Sequence, residues 1–519
     1  MLSAVVISER DFMKFGKIWR IVLLPLLMAV VLGFALLSSA GKSSSCMGVK
    51  ILSEAEMSRF TSLVPQELSG WISCSGSTAA VDAGNFKIYI SQNISEETDY
   101  TQLTGSLAMN NSAYKMYFAP DEMFADLYTA VKENHSFALI VSAENGEYTL
   151  YEVVFTTLPV VNISGQLAYT SPDGEDVHKG SITVWDSNFA GTGGITVEKT
   201  AAEWYLDDYR DSSEDKTTWR VSLKADNGGS NMINLMGQGK DDDWVFNGIS
   251  GDSTQLREKL AASLWNSMDD SLSGREHMAE GEYAEVVYNG RYMGVYLVQR
   301  RIDQKYLDLD SNDILLRDKK DRRGSYAQNN YTVRHGYYTE EEIWQIVQSL
   351  HSRQDCSVID IGNWIDVNLF INAVCNKGRL DYTEMYYNWQ GVNSGPEVAM
   401  IPVLSDSLWG VTFEDREYYF DENLKNGTVA YRDEYGQLKE LYPDLDERIA
   451  ERYRQLRSTV LSEEYIEKNI SYIQSRIENS GAPARDAQRW EYEKDKDTEK
   501  LCRYICERLA VMDGFYGII

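Results

Sequence analysis

The stretch from Tyr288 to Asp303 reads YNGRYMGVYLVQRRID, and the elements around it follow from how it is read. Within it, Gly294 to Gln299 is a short apolar and aromatic run, the composition of a strand. Ala284 to Tyr288 just upstream, Ser181 to Trp185 and Trp219 to Lys224 (WRVSLK) have the same character. Between these strands the period changes. Leu256, Leu260 and Leu264 fall at i, i+4 and i+8, which predicts a helix from about Ser253 to Trp265 with Asp252 or Ser253 as its cap. The last 80 residues are helical by the same test, with Tyr465, Ile466, Ile470, Ile473 and Ile477 on one stripe. Strands first and helices later predict an α+β fold. No internal repeat interrupts the pattern.

Upstream of this mixed region, Lys50 to Val161 carries short strand signals such as Phe86 to Ile90, Ala138 to Val141 and Tyr148 to Thr157. Asn/Gly/Ser clusters separate them. The spacing predicts a small Ig-like β-sandwich over residues 45–160, broken by one helical stretch near Asp121 to Val131. Thr157-Leu158-Pro159 reads as a hinge out of it. A module of this kind is expected to space or to recognise.

The chain has 519 residues, 43% hydrophobic and 25% charged, which excludes a disordered or collagen-like protein. Lys and Arg total 50 against 79 Asp and Glu, a net charge of −29. Non-specific nucleic-acid binding, which needs cations to displace phosphate counterions, is thereby disfavoured. A nucleotide would need a local cation to be held at all. His135, His178, His277, His335 and His351 show no metal-ligand spacing, so zinc catalysis is not expected. Six cysteines are too few for a disulfide scaffold of this size. Cys46 and Cys74 could pair outside the cell, and Cys502 and Cys506 would share a helix face.

Ile21 to Leu37 is an uncharged apolar run of 17 residues, extended to 20 by Ser38-Ser39-Ala40. At 1.5 Å rise per residue this lies at the short end of a bilayer-spanning helix. Arg10, Lys14, Lys17 and Arg20 precede it and only Lys42 follows closely. The positive-inside rule therefore leaves residues 1–20 in the cytoplasm, makes 21–40 a transmembrane helix, and exports the rest. A cleaved secretory signal, or a lipoprotein at Cys46, would export it equally. The mean hydropathy of −0.38 does not suit a polytopic transporter.

Neither a P-loop nor a G-x-G-x-x-G string occurs. Gly191-Thr192-Gly193-Gly194 reads as a turn, and Arg317 to Arg323 (RDKKDRR) as a solvated loop of alternating charge, the alternative being a basic run that steers an anionic partner. Asp241-Asp242-Asp243 reads as a turn and helix cap before Trp244, the alternative being a cation site. Four groupings stand out: Asn234 to Trp244 (NLMGQGKDDDW), Tyr288 to Asp303, Asp381 to Trp389 (DYTEMYYNW) and Ile401 to Gly410 (IPVLSDSLWG). In this order, and with Leu256 to Leu260, Arg489-Trp490 and the closing Glu507-Arg508 to Asp513, they resemble the CotH kinase family, the spore-coat-protein-H-like proteins. The likeness covers about residues 165–519.

The resemblance implies an atypical, two-lobed protein-kinase-like domain that transfers the γ-phosphoryl of ATP to protein Ser/Thr with Mg²⁺ or Mn²⁺. Such chemistry asks the protein for positioning, a carboxylate beside the acceptor hydroxyl, and oxygen ligands for the metal. By position, Asp381 would be the catalytic-loop carboxylate, and Asp406 a metal ligand with Glu384 or Asn388 filling the amide place. Lys216 and Arg220 would contact phosphate. The chain departs from the family pattern at Leu404, where an Asp is usual, and at Arg300, where a Glu is usual. These departures imply the alternative: a catalytically degenerate surface protein acting in adhesion or in cell-envelope or spore-coat assembly. The expected partners are a protein substrate or surface partner and, through the N-terminal helix, the membrane.

Overall fold

The computed structural model describes residues 44–172, 174–188, 195–206, 216–250, 254–268, 277–318, 331–336, 356–375, 385–390, 397–404, 408–409, 429–432, 434–491 and 498–518, with a few isolated positions between them. The segment 21–40 lies outside this set. Among the described residues no helix is long and apolar enough to cross a membrane.

The fold is α+β. Its N-terminal part is built on a six-stranded sheet. Five of its strands are β1 (Ala80–Asp82), β2 (Lys87–Ser91), β3 (Tyr114–Phe118), β4 (Phe137–Ala143) and β5 (Glu147–Thr156), in the order β1-β2-β5-β4-β3, and Ser62–Leu63 also pairs with β5. The β2–β5 and Ser62–Leu63 pairings are parallel. A three-stranded sheet of Ser77–Thr78, Ile72–Cys74 and Leu107–Met109 accompanies it. Near the expected helical stretch lie a 3-10 turn, Glu122–Ala125, and a short helix α1 (Leu127–Lys132).

A seven-stranded closed barrel follows: β6 (Val160–Thr170), β7 (Asp176–Asp186), β8 (Thr196–Leu206), β9 (Trp219–Lys224), β10 (Asp243–Asn247), β11 (Glu282–Tyr288) and β12 (Arg291–Arg300). The order is β6-β7-β8-β9-β10-β12-β11. A parallel pairing of β6 with β11, Val160 opposite Glu285, closes the ring. The alternating pattern of β9 points Trp219, Val221 and Leu223 inward, where they are buried beside Trp204, Trp244 and Tyr296. Trp219 stacks on Tyr296 at 5.1 Å, and stacking of this kind adds about 1 kcal/mol to the burial of the rings. Closure leaves no free strand edge.

The C-terminal part carries an antiparallel sheet of β13 (Ile314–Asp318), β14 (Tyr331–His335), β15 (Met385–Gln390) and β16 (Glu397–Pro402), in the order β14-β13-β15-β16. Its helices are α2 (Arg257–Met268), α3 (Ile361–Val374), α4 (Tyr435–Leu441), α5 (Leu445–Arg457), α6 (Glu463–Glu478), α7 (Ala482–Trp490) and α8 (Thr498–Tyr516). The stripe read on α6 is the buried face: Ile466, Ile470, Ile473 and Ile477 join the largest apolar cluster. Helix α2 starts a little later than its leucine spacing suggests. Asp252 does cap it, accepting the Arg257 and Thr254 backbone N–H at 2.9 and 3.0 Å.

The Thr157-Leu158-Pro159 connection is not an open hinge. Leu158 is buried, and the N-terminal apolar cluster runs on into Val160, Trp185, Val287 and Tyr292 of the barrel. Tyr89 stacks on Tyr292 at 4.4 Å. The Trp185 indole donates to the Cys74 carbonyl at 3.1 Å. All six cysteines are free thiols, so Cys46 and Cys74 do not pair in this structure.

Candidate functional site

The hairpin β15–β16 sets the frame. Met385, the first residue of β15, pairs across the hairpin with Pro402, the last of β16, and Asp318 closes the same row from β13. The chain therefore reaches β15 and leaves β16 at one end of the sheet. The flanks are tied there as well. Trp409 is buried, its backbone N–H donates to the Val374 carbonyl at 2.9 Å, and its indole donates to Ala373 at 3.1 Å. Asp381, Glu384 and Asp406 lie outside the described residues. Asn388 is placed: it sits fully buried inside β15, opposite Ala399 and Leu315. That is three residues, about 10 Å of strand, from the row end.

Asp318 is a carboxylate that the sequence reading missed. It is fully buried at the row end, and its charge, with burial, raises the pKa of Tyr387. The Tyr387 hydroxyl accepts from Arg432 at 2.9 Å, and Arg432 pairs with Glu434 at 3.4 Å. Arg317 and Asp318 open the basic run read as a solvated loop, yet both are buried residues of β13. Strand pairing on both sides of β13 outweighs local polarity.

Lys216 is buried just ahead of β9, and its ammonium pairs with Asp486 of α7 at 2.6 Å. Asp486 also accepts the Gln255 amide and the Val295 N–H, each at 2.8 Å. This explains one glycine of the YNGRYMGVYL string. Gly294 has φ +91°, and a Cβ there would lie 1.9 Å from Asp486 Oδ1. The Arg489-Trp490 pair fastens the same helix, donating to the Tyr292 and Met293 carbonyls at 2.8 and 3.0 Å. A second buried pair, Arg485 with Glu285, anchors α7 to β11, and Tyr292 donates its hydroxyl to Glu285 at 2.5 Å.

The triple aspartate is a charged network. Asp241 is fully buried and takes Arg300 Nε at 2.9 Å, so the cation at position 300 has its counter-charge. Lys305 bonds Asp242, and it meets Asp243 at 3.0 Å and Asp241 at 3.8 Å. Burial opposes ionisation of Asp243, but hydrogen bonds from Ser222 and Lys305 prevail and lower its pKa. Burial keeps Asp303 above its ordinary value.

Arg220, the other expected phosphate contact, belongs to a cationic cluster. It sits half-buried on β9 with its guanidinium 5.8 Å from the Tyr205 ring centre. Arg301 follows β12, Arg317 lies on β13 and Arg334 on β14. Burial and the nearby charges of Arg301, Arg220 and Arg317 together lower the pKa of Arg334. Its Nε is buried without a hydrogen-bond partner. Arg317 lies 5.5 Å over the Tyr386 ring and bonds its hydroxyl at 3.5 Å. The group gathers like charge where the barrel and the four-stranded sheet approach each other. Arg220 is expected as a phosphate contact and Arg317 as part of a basic run; that they meet Arg301 and Arg334 is not legible, because the four lie on separate segments of the chain.

Among the described residues no group of three or more His, Cys, Asp or Glu could hold a metal. The barrel, the four-stranded sheet and their helices define an α+β protein, with Arg220, Arg301, Arg317 and Arg334 near one another between two parts of its fold. A family model described as CotH kinase protein matches residues 209–512, more than half of the chain, and the chain belongs to that family. The match begins after β6, β7 and β8, which nonetheless complete the same barrel. A search of curated proteins yields no match.

Proposed function

We propose that this is an outward-facing, membrane-tethered member of the CotH family that binds ATP with its phosphates on the arginine cluster and transfers the γ-phosphoryl group to Ser or Thr of a protein partner. The observation that carries the reading is the convergence of Arg220, Arg301, Arg317 and Arg334 in a chain of charge −29. The buried, unbonded Nε of Arg334 fits a phosphate oxygen, since charge-assisted bonds from guanidinium to phosphate are among the stronger ones. The two-lobed kinase-like arrangement is supported by the barrel on one side of this cluster and the sheet with its helices on the other.

In the proposed reaction the acceptor hydroxyl oxygen forms a bond to the γ-phosphorus, and the bond from that phosphorus to the β,γ-bridging oxygen breaks. The hydroxyl proton passes to the Asp381 carboxylate and ADP departs. Asp406, with Glu384 or Asn388, would hold Mg²⁺ or Mn²⁺, which when bound offsets phosphate charge. The shared row end of β13, β15 and β16 supports bringing the Asp381 and Asp406 segments together.

One observation favours a second reading, in which the fold binds without transferring. Leu404, where the family has an aspartate, packs against the large apolar cluster and offers no ligand oxygen. That protein would serve in adhesion or in envelope or spore-coat assembly. Radiolabelled ATP with the full chain in detergent, plus Mg²⁺ or Mn²⁺, separates the two. Label incorporation abolished by Asp406→Ala supports transfer. ATP binding without label, weakened about tenfold or more by joint Arg301→Gln and Arg334→Gln, supports the binder. No ATP binding overturns both as nucleotide proteins.

A further inference from the structure

Away from the arginine cluster, a cavity of about 520 Å³ lies where the N-terminal sheet, the β5–β6 connection and the end of α6 meet. Its walls come from five places distant in sequence: the loop after β2, Tyr128 of α1, Thr157 with Leu158, Asn188, and Ser475 to Asn479. The volume lies within the range typical of small-molecule sites.

The chemistry of the lining is unusual for this chain. Three carboxamides, those of Asn93, Asn188 and Asn479, face it together with the hydroxyl of Ser475 and one aromatic ring, Tyr128. The Asn93 and Asn479 amides have no side-chain partner among the described residues. An amide both donates and accepts, which matches a sugar hydroxyl that does the same. Tyr128 is half-buried, with the Lys132 ammonium 6.0 Å from its ring centre, and contributes an aromatic surface with a polar tip. The charges argue against other ligands. Arg476, the cation of the lining, is held by Glu282 at 3.0 Å, and Glu96 and Glu97 stand exposed beside it. An anion would meet net negative charge there. Apart from Ile94 and Leu158 the walls are not aliphatic, so a lipid tail has little to contact.

We infer that this cavity is a saccharide site, taking one or two neutral or amino-sugar units of a surface glycan. It joins the N-terminal part to the kinase-like part, so a bound glycan touches both. The inference stands whether or not the phosphoryl-transfer reading holds. The test is ligand-observed NMR and calorimetry on the full chain in detergent, with N-acetylglucosamine, glucosamine and cellobiose as probes and glutamate and inorganic phosphate as charged controls. At least one saccharide is expected to bind and the controls are not. Tyr128→Ala, Asn479→Ala and Ser475→Trp should each weaken that binding about tenfold or more. Ser475 is an exposed helix position, so its tryptophan variant fills the cavity without touching the core. Absence of any saccharide signal, binding that survives all three substitutions, or equal binding of the charged controls would overturn the proposal.

Discussion

Replacing Asp486 by Ala takes the carboxylate away from the buried Lys216 ammonium. The two side chains are 0% and 5% exposed and 2.6 Å apart. The same carboxylate holds the Gln255 amide and the Val295 N–H, so the substitution also strands a buried donor on β12. Breaking a buried pair by removing one partner costs about 3–5 kcal/mol, and each hydrogen bond to a charged group is worth about 1.5–3 kcal/mol. These terms overlap, because the bonds are part of the same pair. We therefore expect a loss of about 4 kcal/mol, a large share of the roughly 5–15 kcal/mol that holds a domain folded. The double variant Lys216→Met with Asp486→Leu removes both charges and should recover most of the loss, since apolar replacement of a buried pair is often near neutral. Urea unfolding followed by tryptophan fluorescence reads both quantities. A single variant that loses less than about 1 kcal/mol, or a double variant no better than the single, would refute the view that this pair locks α7 to the barrel.

Two further outcomes follow from the same geometry. Gly294→Ala adds a Cβ at φ +91° that would collide with Asp486 Oδ1; the strain and the displaced carboxylate should together destabilise by at least about 3 kcal/mol, read as a lower urea midpoint. Asp243 has a pKa below its ordinary 3.8, so its contribution is complete above that pH and is lost as pH falls through the lower, folded value. Asp243→Asn should flatten this part of an acid titration followed by circular dichroism, and an unchanged acid limb would count against the Ser222 and Lys305 bonds as its cause.

Much of the architecture is legible locally. The alternation in Trp219 to Lys224 and the isoleucine spacing on α6 specify which faces are buried, because side-chain direction repeats every two residues in a strand and about every 3.6 in a helix. The YNGRYMGVYL and Arg489-Trp490 strings are legible as family marks, but their purpose is not. Gly294 and Trp490 are 196 positions apart, and only the packing of α7 on β12 shows that they serve one contact. The hinge expected at Leu158 fails for a related reason. A Thr-Leu-Pro break between two strand-like runs resembles a linker locally, whereas burial of Leu158 depends on what stacks above it.

The sequence by itself determined the α+β class, the family, the buried faces of the main elements and the acidic balance that demands a local cation. These depend on composition and on neighbours along the chain. Tertiary structure decided which charges meet. Lys216 became half of a buried pair, Arg300 found Asp241, and four arginines from four different segments became one cationic cluster. Electrostatic energy falls with distance in space and is indifferent to separation along the chain, so strand order had to be known before the cluster could be seen.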